Sequence, residues 1–194
     1  MRHDMELVTA PTAQLVTLAE AKLHLRVTHL KEDALIAAQI AAVHDALDGY
    51  EGQLGRALAP QVWRLTLDGL PAKGYARLPL LPFVSVDEIT YDDAADVAQT
   101  LAPSLYKVTR DEGFGCVAIA LNAAWPAMRA LRIKYTAGLD PAANPKGAAR
   151  IKAAMLLLIG DLYENRSAQI EGRMIFANPA VQRLLEPLRV RSWR

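Results

Sequence analysis

From Ile36 onward the apolar positions fall into a helical rhythm: Ile36, Ile40, Val43, Leu47, Tyr50 and Leu54 recur at alternating steps of four and three. That spacing places all of them on one face of a single helix, predicted over residues 30–54 with a length of about 37 Å. Thr28 or His29 would cap it, and Glu32 and Asp33 in its first turn favour the positive end of the helix dipole. Gly52 and Gly55 mark its fraying end. A shorter helix precedes it. Thr17-Leu18-Ala19-Glu20 has the form of a capping box and opens a stretch carrying Leu18, Ala21, Leu23 and Leu25. Val27-Thr28, with two β-branched side chains, ends that stretch, and the residues before Thr17 read as a polar, proline-containing lead.

At Pro60 the period drops to two. Trp63, Leu65 and Leu67 alternate with Arg64, Thr66 and Asp68, the pattern of a half-buried strand. Leu78-Pro79-Leu80-Leu81-Pro82 cannot be a central strand, because each proline lacks an amide donor, so it is an extended edge or connection. Val84, Val86, Ile89 and Tyr91 form the next strand, followed by a polar turn at Asp92, Asp93 and Asp96. Further strands are predicted at residues 105–109, 116–121 and 131–136, which makes an antiparallel sheet or small sandwich of residues 60–137. Gly138-Leu139-Asp140-Pro141 then begins a linker, and Asn144-Pro145 reads as an N-cap with proline at the first helical position. The helix that follows carries Ala148, Ile151, Met155, Leu158 and Leu162 as a stripe, with Leu156, Leu157 and Ile159 on its flanks. Apolar on most of its circumference, it is expected to be the central helix. Beyond Gly172, Asn178-Pro179 starts a short helix bearing Val181, Leu184, Leu185 and Leu188, which Pro187 limits.

Composition adds little to this pattern. Hydrophobic residues at 52% and charged residues at 22% exclude the disordered class, and a net charge of +1 offers no global attraction for nucleic acid or membrane. The single cysteine, Cys116, leaves no internal disulfide to form, so a cytoplasmic setting is expected, and Met1 to Ala10 lacks the apolar run of a signal peptide. The most apolar run, residues 153–159, is far short of the roughly 20 residues of a membrane span.

Candidate chemistry is sparse. His3, His24, His29 and His44 stand in no metal-ligand spacing, and Tyr91-Asp92-Asp93-Ala94-Ala95-Asp96 lacks the glycine and terminal glutamate of a calcium loop. No lysine and helix start follow Gly113-Phe114-Gly115, which therefore reads as a hairpin turn rather than a phosphate cradle. Cys116 lies in an alternating apolar segment typical of an inert buried thiol, and Asp161 with Glu164 reads as helix-end electrostatics. No catalytic residue, metal or cofactor is expected. The one charge asymmetry is C-terminal, where Arg166, Arg173, Arg183, Arg189, Arg191 and Arg194 face only Glu171 and Glu186. Arginines together with Leu184, Leu185, Leu188 and Trp193 have the composition of an interface anchor.

The order of segments resembles a family. Thr17-Leu18-Ala19-Glu20-Ala21-Lys22-Leu23-His24-Leu25-Arg26-Val27, followed by Glu32-Asp33-Ala34-Leu35-Ile36, is similar to the N-terminal signature of the head-tail connector, or adaptor, proteins of tailed double-stranded DNA phages and gene transfer agents. Leu78-Pro79, Pro82 and Val86, Ile89-Thr90-Tyr91-Asp92, Trp125-Pro126, Ile133-Lys134-Tyr135-Thr136-Ala137-Gly138 and Leu162-Tyr163-Glu164-Asn165-Arg166 resemble the longer members, which carry a β insertion. The resemblance covers residues 15–168; the tail after Ser167 has no matching motif.

What the resemblance implies is a non-enzymatic ring, typically dodecameric, between the portal and the next connector, stopper or tail protein, with DNA passing through the lumen without sequence specificity. Such a protein is cytoplasmic during assembly and then sits in the particle neck. The expected fold is α+β, a helical bundle with an inserted antiparallel β subdomain. Residues 1–59 form its N-terminal helical segment, 60–137 the insertion, 138–168 the core helix and 169–194 a C-terminal docking arm. Ile36, Ile40, Val43, Leu47, Tyr50 and Leu54 are the ring or core helix candidates. Leu184, Leu185, Leu188, Arg183, Arg189, Arg191, Trp193 and Arg194 are candidates for docking on the portal, so deleting residues 174–194 should leave a stable protein that no longer binds portals. The alternative is a DNA-binding or packaging accessory protein using the arginine-rich arm on phosphates, with affinity falling steeply as salt rises.

Overall fold

The computed structural model describes residues 3–69, 71, 73–165 and 178–190. Their fold is mixed α+β, with four α-helices and two antiparallel sheets among the described residues. The chain divides into two compact units, one of Met1–Thr12 with Ala59–Gly138 and one of Ala13–Leu58 with Leu139–Arg194.

In the helical unit, α1 (Leu18–Leu25) starts at Thr17, whose hydroxyl accepts from the Glu20 amide while the Glu20 carboxylate accepts from the Thr17 amide, a complete capping box. It ends at Arg26 in the left-handed conformation, φ 58°. Helix α2 (Asp33–Leu47) is shorter than predicted at both ends. Its N-cap is Glu32 rather than Thr28 or His29, and no side chain caps it. At the other end the Asp48 carboxylate accepts the Leu58 amide at 2.6 Å, and Gly49, at φ 80°, donates to the Arg56 carbonyl at 2.7 Å. These bonds come from residues well downstream and turn the chain out of the helix, so Tyr50 and Leu54 lie in a loop and not on α2. Leu54 still reaches the core.

Helix α3 (Pro145–Glu164) starts at Asn144, whose side chain accepts from the Gly147 amide at 3.0 Å. It packs against α1, α2 and α4 (Pro179–Leu185). Ala148, Ile151, Ala154, Met155, Leu158 and Ile159 are buried, with Leu156, Leu157 and Leu162 packed at the margin, the broad apolar surface of a central helix. Asn178 caps α4 by accepting from the Ala180 amide, and Pro187 closes the helix in a 3-10 turn over Glu186–Leu188.

The Glu20 carboxylate also pairs with Lys152 of α3. That ammonium, followed by the Thr17 amide and hydroxyl, lowers the Glu20 pKa from 4.5 to about 2. A depressed folded-state pKa gives stability that is present above the ordinary value and is lost as pH falls towards 2. Because the side chain is 39% exposed, solvent screens most of the pairing energy. Glu20→Gln keeps an acceptor for the Thr17 amide and removes only the charge, so it is expected to cost about 0.5 kcal/mol at neutral pH, the worth of a half-exposed ion pair. Urea unfolding should show that deficit shrinking to nothing near the bottom of the window, at about pH 2.

The β unit contains a five-stranded sheet in the order β1-β2-β8-β4-β5 and a three-stranded sheet in the order β3-β7-β6. The strands are β1 (His3–Thr9), β2 (Gln61–Leu67), β3 (Tyr75–Leu78), β4 (Phe83–Asp92), β5 (Ala98–Thr100), β6 (Tyr106–Asp111), β7 (Phe114–Ile119) and β8 (Ala130–Ala137). Trp63, Leu65 and Leu67 stand opposite Tyr135, Ile133 and Leu131, so the alternation seen in sequence becomes one buried face. The step of three from Val86 to Ile89 is a bulge: Asp87 is the extra residue, and its carboxylate accepts from Ser85 and Thr136, each at 2.9 Å. The sheets meet where Gly115 of β7 lies against the Phe83 ring of β4.

Three strands escape the sequence reading, β1, β3 and β5. Residues 3–9, read as a polar lead into the helical segment 1–59, pair with β2 and belong to the β unit. Their alternation, Asp4 and Glu6 against Met5 and Leu7, was the available signal.

Candidate docking surfaces

The ring-helix candidates Ile36, Ile40, Val43 and Leu47 are all buried in the core of the helical unit, as is Leu54 from its loop, while Tyr50 is half-buried. Their apolar side chains fill the monomer's own interior. Surface contacts of α2 fall instead to its polar and small positions and to Leu35, which is 40% exposed.

The described part of the expected docking arm, residues 178–190, is folded onto the same unit. Val181 and Leu185 are 2% and 1% exposed and belong to the core, with Leu184 and Leu188 packed at its margin. The Asn178 amide donates to Asp161 at 3.2 Å, which gives that carboxylate a structural partner. Beyond α4 the chain is held by two further bonds: the Arg56 Nε donates to the Leu188 carbonyl, and the Val190 amide donates to the Leu54 carbonyl at 3.1 Å. Burial pulls the Arg56 guanidinium below its ordinary pKa. Arg56 was not singled out by sequence, since nothing local distinguishes an arginine that will reach a carbonyl so far along the chain.

The arm candidates therefore divide. Leu185 is a core residue and Leu184 and Leu188 border the core, whereas Arg183 is exposed and Arg189 is exposed beside Glu186 at 3.7 Å. Arg191, Trp193 and Arg194 lie outside the described residues, as do Arg166, Arg173 and Met174.

Cys116 is buried and desolvation pushes its thiol pKa up, the opposite of an activated nucleophile. Asp92 makes a two-pronged pair with Arg132 at 2.7 and 2.6 Å, which holds its carboxyl below the usual range, and Asp93 accepts from the Ala95 and Val97 amides. Among the described residues no three His, Cys, Asp or Glu side chains converge as a metal site, and no helix is long and apolar enough to cross a membrane.

No protein-family model matches the chain, and no curated protein matches it. Solved structures do. A chain of the neck of an empty GTA particle, computed with C6 symmetry, is 28% identical with a TM-score of 0.75, over 97% of both chains. The chain is similar to components of gene transfer agent particles. A second match, from the virion of a native gene transfer agent particle, is 27% identical with a TM-score of 0.73 over 97% of this chain and 96% of that one. A third, from the neck of a native GTA particle computed with C12 symmetry, is 24% identical with a TM-score of 0.65 and shows the fold alone. At 97% coverage of both chains the likeness takes in both units.

Proposed function

We propose that this chain is a non-enzymatic structural component of the neck of a phage-like particle. It is a head-tail connector, a helical bundle carrying a β subdomain, whose copies form a ring between the portal and the next connector, stopper or tail protein. DNA passes through the lumen without sequence-specific contact. The observation that carries this reading is the match over 97% of both chains, at a TM-score of 0.75 and 28% identity, to a chain of a particle neck. The C6 symmetry of that neck suits a subunit repeated around an axis, for which head-to-tail contacts are the expected interface type.

Portal attachment falls to the exposed arginines of the C-terminal segment, Arg183 and Arg189, with Arg191, Trp193 and Arg194 beyond them. A ring multiplies each weak contact, so modest single contacts suffice for firm attachment. Two measurements test the reading. Immunogold labelling of particles from producing cells should find the chain at a single vertex; its absence from particles, or label spread over the head, would overturn the proposal. With the full chain, Arg183→Glu together with Arg189→Glu should weaken portal binding about tenfold or more while leaving the unfolding midpoint unchanged.

A further inference from the structure

The β unit ends in four strand edges, and they are not equally protected. Strands β3 and β5, with 4 and 3 residues, are short, one of the common ways of blunting an edge. Strands β1 and β6, with 7 and 6 residues, are long, and among the described residues no strand pairs with their outer sides. The register shift of β1 comes only after Leu7 and leaves the stretch before it regular.

Both long edges carry an uncovered piece of core. Leu7 is 44% exposed although its neighbour on the same face, Trp63, is 8% exposed. Val108 is 37% exposed beside Val117 at 0%. The two edges also present their backbone groups in matching phase. The Gly138 amide donates to Pro82, which directs even-numbered β8 residues towards β4 and odd-numbered ones towards β2. Carried across β2, this alternation makes Asp4 and Glu6 the bonded positions of β1 and leaves the amides of Met5 and Leu7 facing out. In β6, the two-residue turn at Glu112-Gly113, with φ values of 49° and 88°, makes Asp111 and Phe114 a bonded pair. The amides of Tyr106 and Val108 therefore face out as well.

We propose that β1 of one copy pairs antiparallel with β6 of the neighbouring copy, adding a fourth strand to its three-stranded sheet. The ring reading above supplies only the existence of that neighbouring copy. In the pairing, Met5 stands opposite Val108, Leu7 opposite Tyr106 and Glu6 opposite Lys107. The exposed apolar residues of both edges then share one face, and on the other the Glu6 carboxylate, which already pairs with Arg64 of its own chain at 2.7 Å, gains the Lys107 ammonium as a second cation. A slip by two residues in one direction sets Asp4 against Asp111, and a slip in the other leaves Leu7 unpaired, so the register is specified by charge and burial together. Two different edges on one subunit are what a head-to-tail contact requires.

The test uses the full chain in a Cys116→Ala background. Leu7→Cys and Tyr106→Cys copies are purified separately, mixed and oxidised mildly. Directly opposed residues of a bonded pair lie within disulfide reach. The expected result is a disulfide-linked pair in the mixture and none in either variant alone. A second measurement exchanges charge: Glu6→Lys and Lys107→Glu should each weaken self-association several-fold in sedimentation, and the double variant should restore it. Self-association without the mixed disulfide and without restoration overturns the strand pairing while leaving the ring reading intact. A chain that stays monomeric at its highest soluble concentration overturns it too, and the neck reading then stands or falls on the particle labelling alone.

Discussion

A chain truncated after residue 177 is expected to unfold at a markedly lower denaturant concentration than the full chain. The segment it lacks contains Val181 and Leu185, both buried in the core of the helical unit, and burying each such side chain contributes about 1.5–3 kcal/mol. It also contains the Leu188 carbonyl and the Val190 amide that bond to Arg56 and Leu54. Removing the acceptor of a partly buried guanidinium leaves a desolvated donor without its partner, which adds to the loss. Leu185→Ala alone should cost about 3 kcal/mol, read as a fall in the urea midpoint with the slope unchanged. Arg183→Glu, at an exposed position of the same helix, should stay within about 0.5 kcal/mol. The expectation that residues 174–194 can be deleted from a stable protein is therefore corrected. Loss of portal binding in such a deletion would report unfolding, whereas the same loss in the arginine variants would report docking.

That correction marks the limit of what the chain's pattern conveys. Val181, Leu184, Leu185 and Leu188 form the same apolar stripe whether the surface that covers them belongs to α3 or to another protein, and spacing contains no term for the partner. Three caps were legible because their chemistry is local: Thr17 with Glu20, Asn144 before Pro145, and Asn178 before Pro179 each find their amides within three residues, whereas α2, capped by no side chain, left no such signal at its start. The end of α2 was not, because the group that breaks the helix is the Leu58 amide on Asp48, ten residues away in sequence. Until that bond forms, Tyr50 and Leu54 continue the helical rhythm without fault. Strand β1 was hidden for a related reason. An edge strand with one face uncovered shows weak alternation, and its acids read as solvent-exposed lead until Arg64 stands beside Glu6 at 2.7 Å. The long alternating strands β2 and β8, buried on one face along their whole length, were the easiest to read.

Gly138→Ala should be the most damaging single-methyl change in the β unit. A Cβ built on Gly138 would stand 2.4 Å from both the Cα and the nitrogen of Pro60 and 2.6 Å from the carbonyl carbon of Ala59. Those are backbone atoms, and Pro60 is rigid, so no side chain can swing aside to make room. The strand end cannot retreat either. The Gly138 amide donates to the Pro82 carbonyl at 2.9 Å, and the next amide, of Leu139, donates to Ala57 at 3.0 Å, so the backbone on both sides of the methyl is already committed. Overpacking of this kind costs about 3 kcal/mol or more when backbone has to move. Gly115→Ala meets a different neighbour, the Phe83 ring at 2.5 Å, which can tilt at the expense of its own packing, so a smaller loss is expected there. Gly74→Ala, with nothing within 4 Å of the added carbon, isolates the backbone term alone, since its φ of 73° strains any side chain by about 1 kcal/mol. Ranking the three by thermal midpoint, with Gly138→Ala lowest and Gly74→Ala highest, separates collision with backbone from collision with a ring and from strain without collision. A Gly138→Ala midpoint equal to that of Gly74→Ala would mean that the approach of the β8 end to Pro60 is looser than its geometry states.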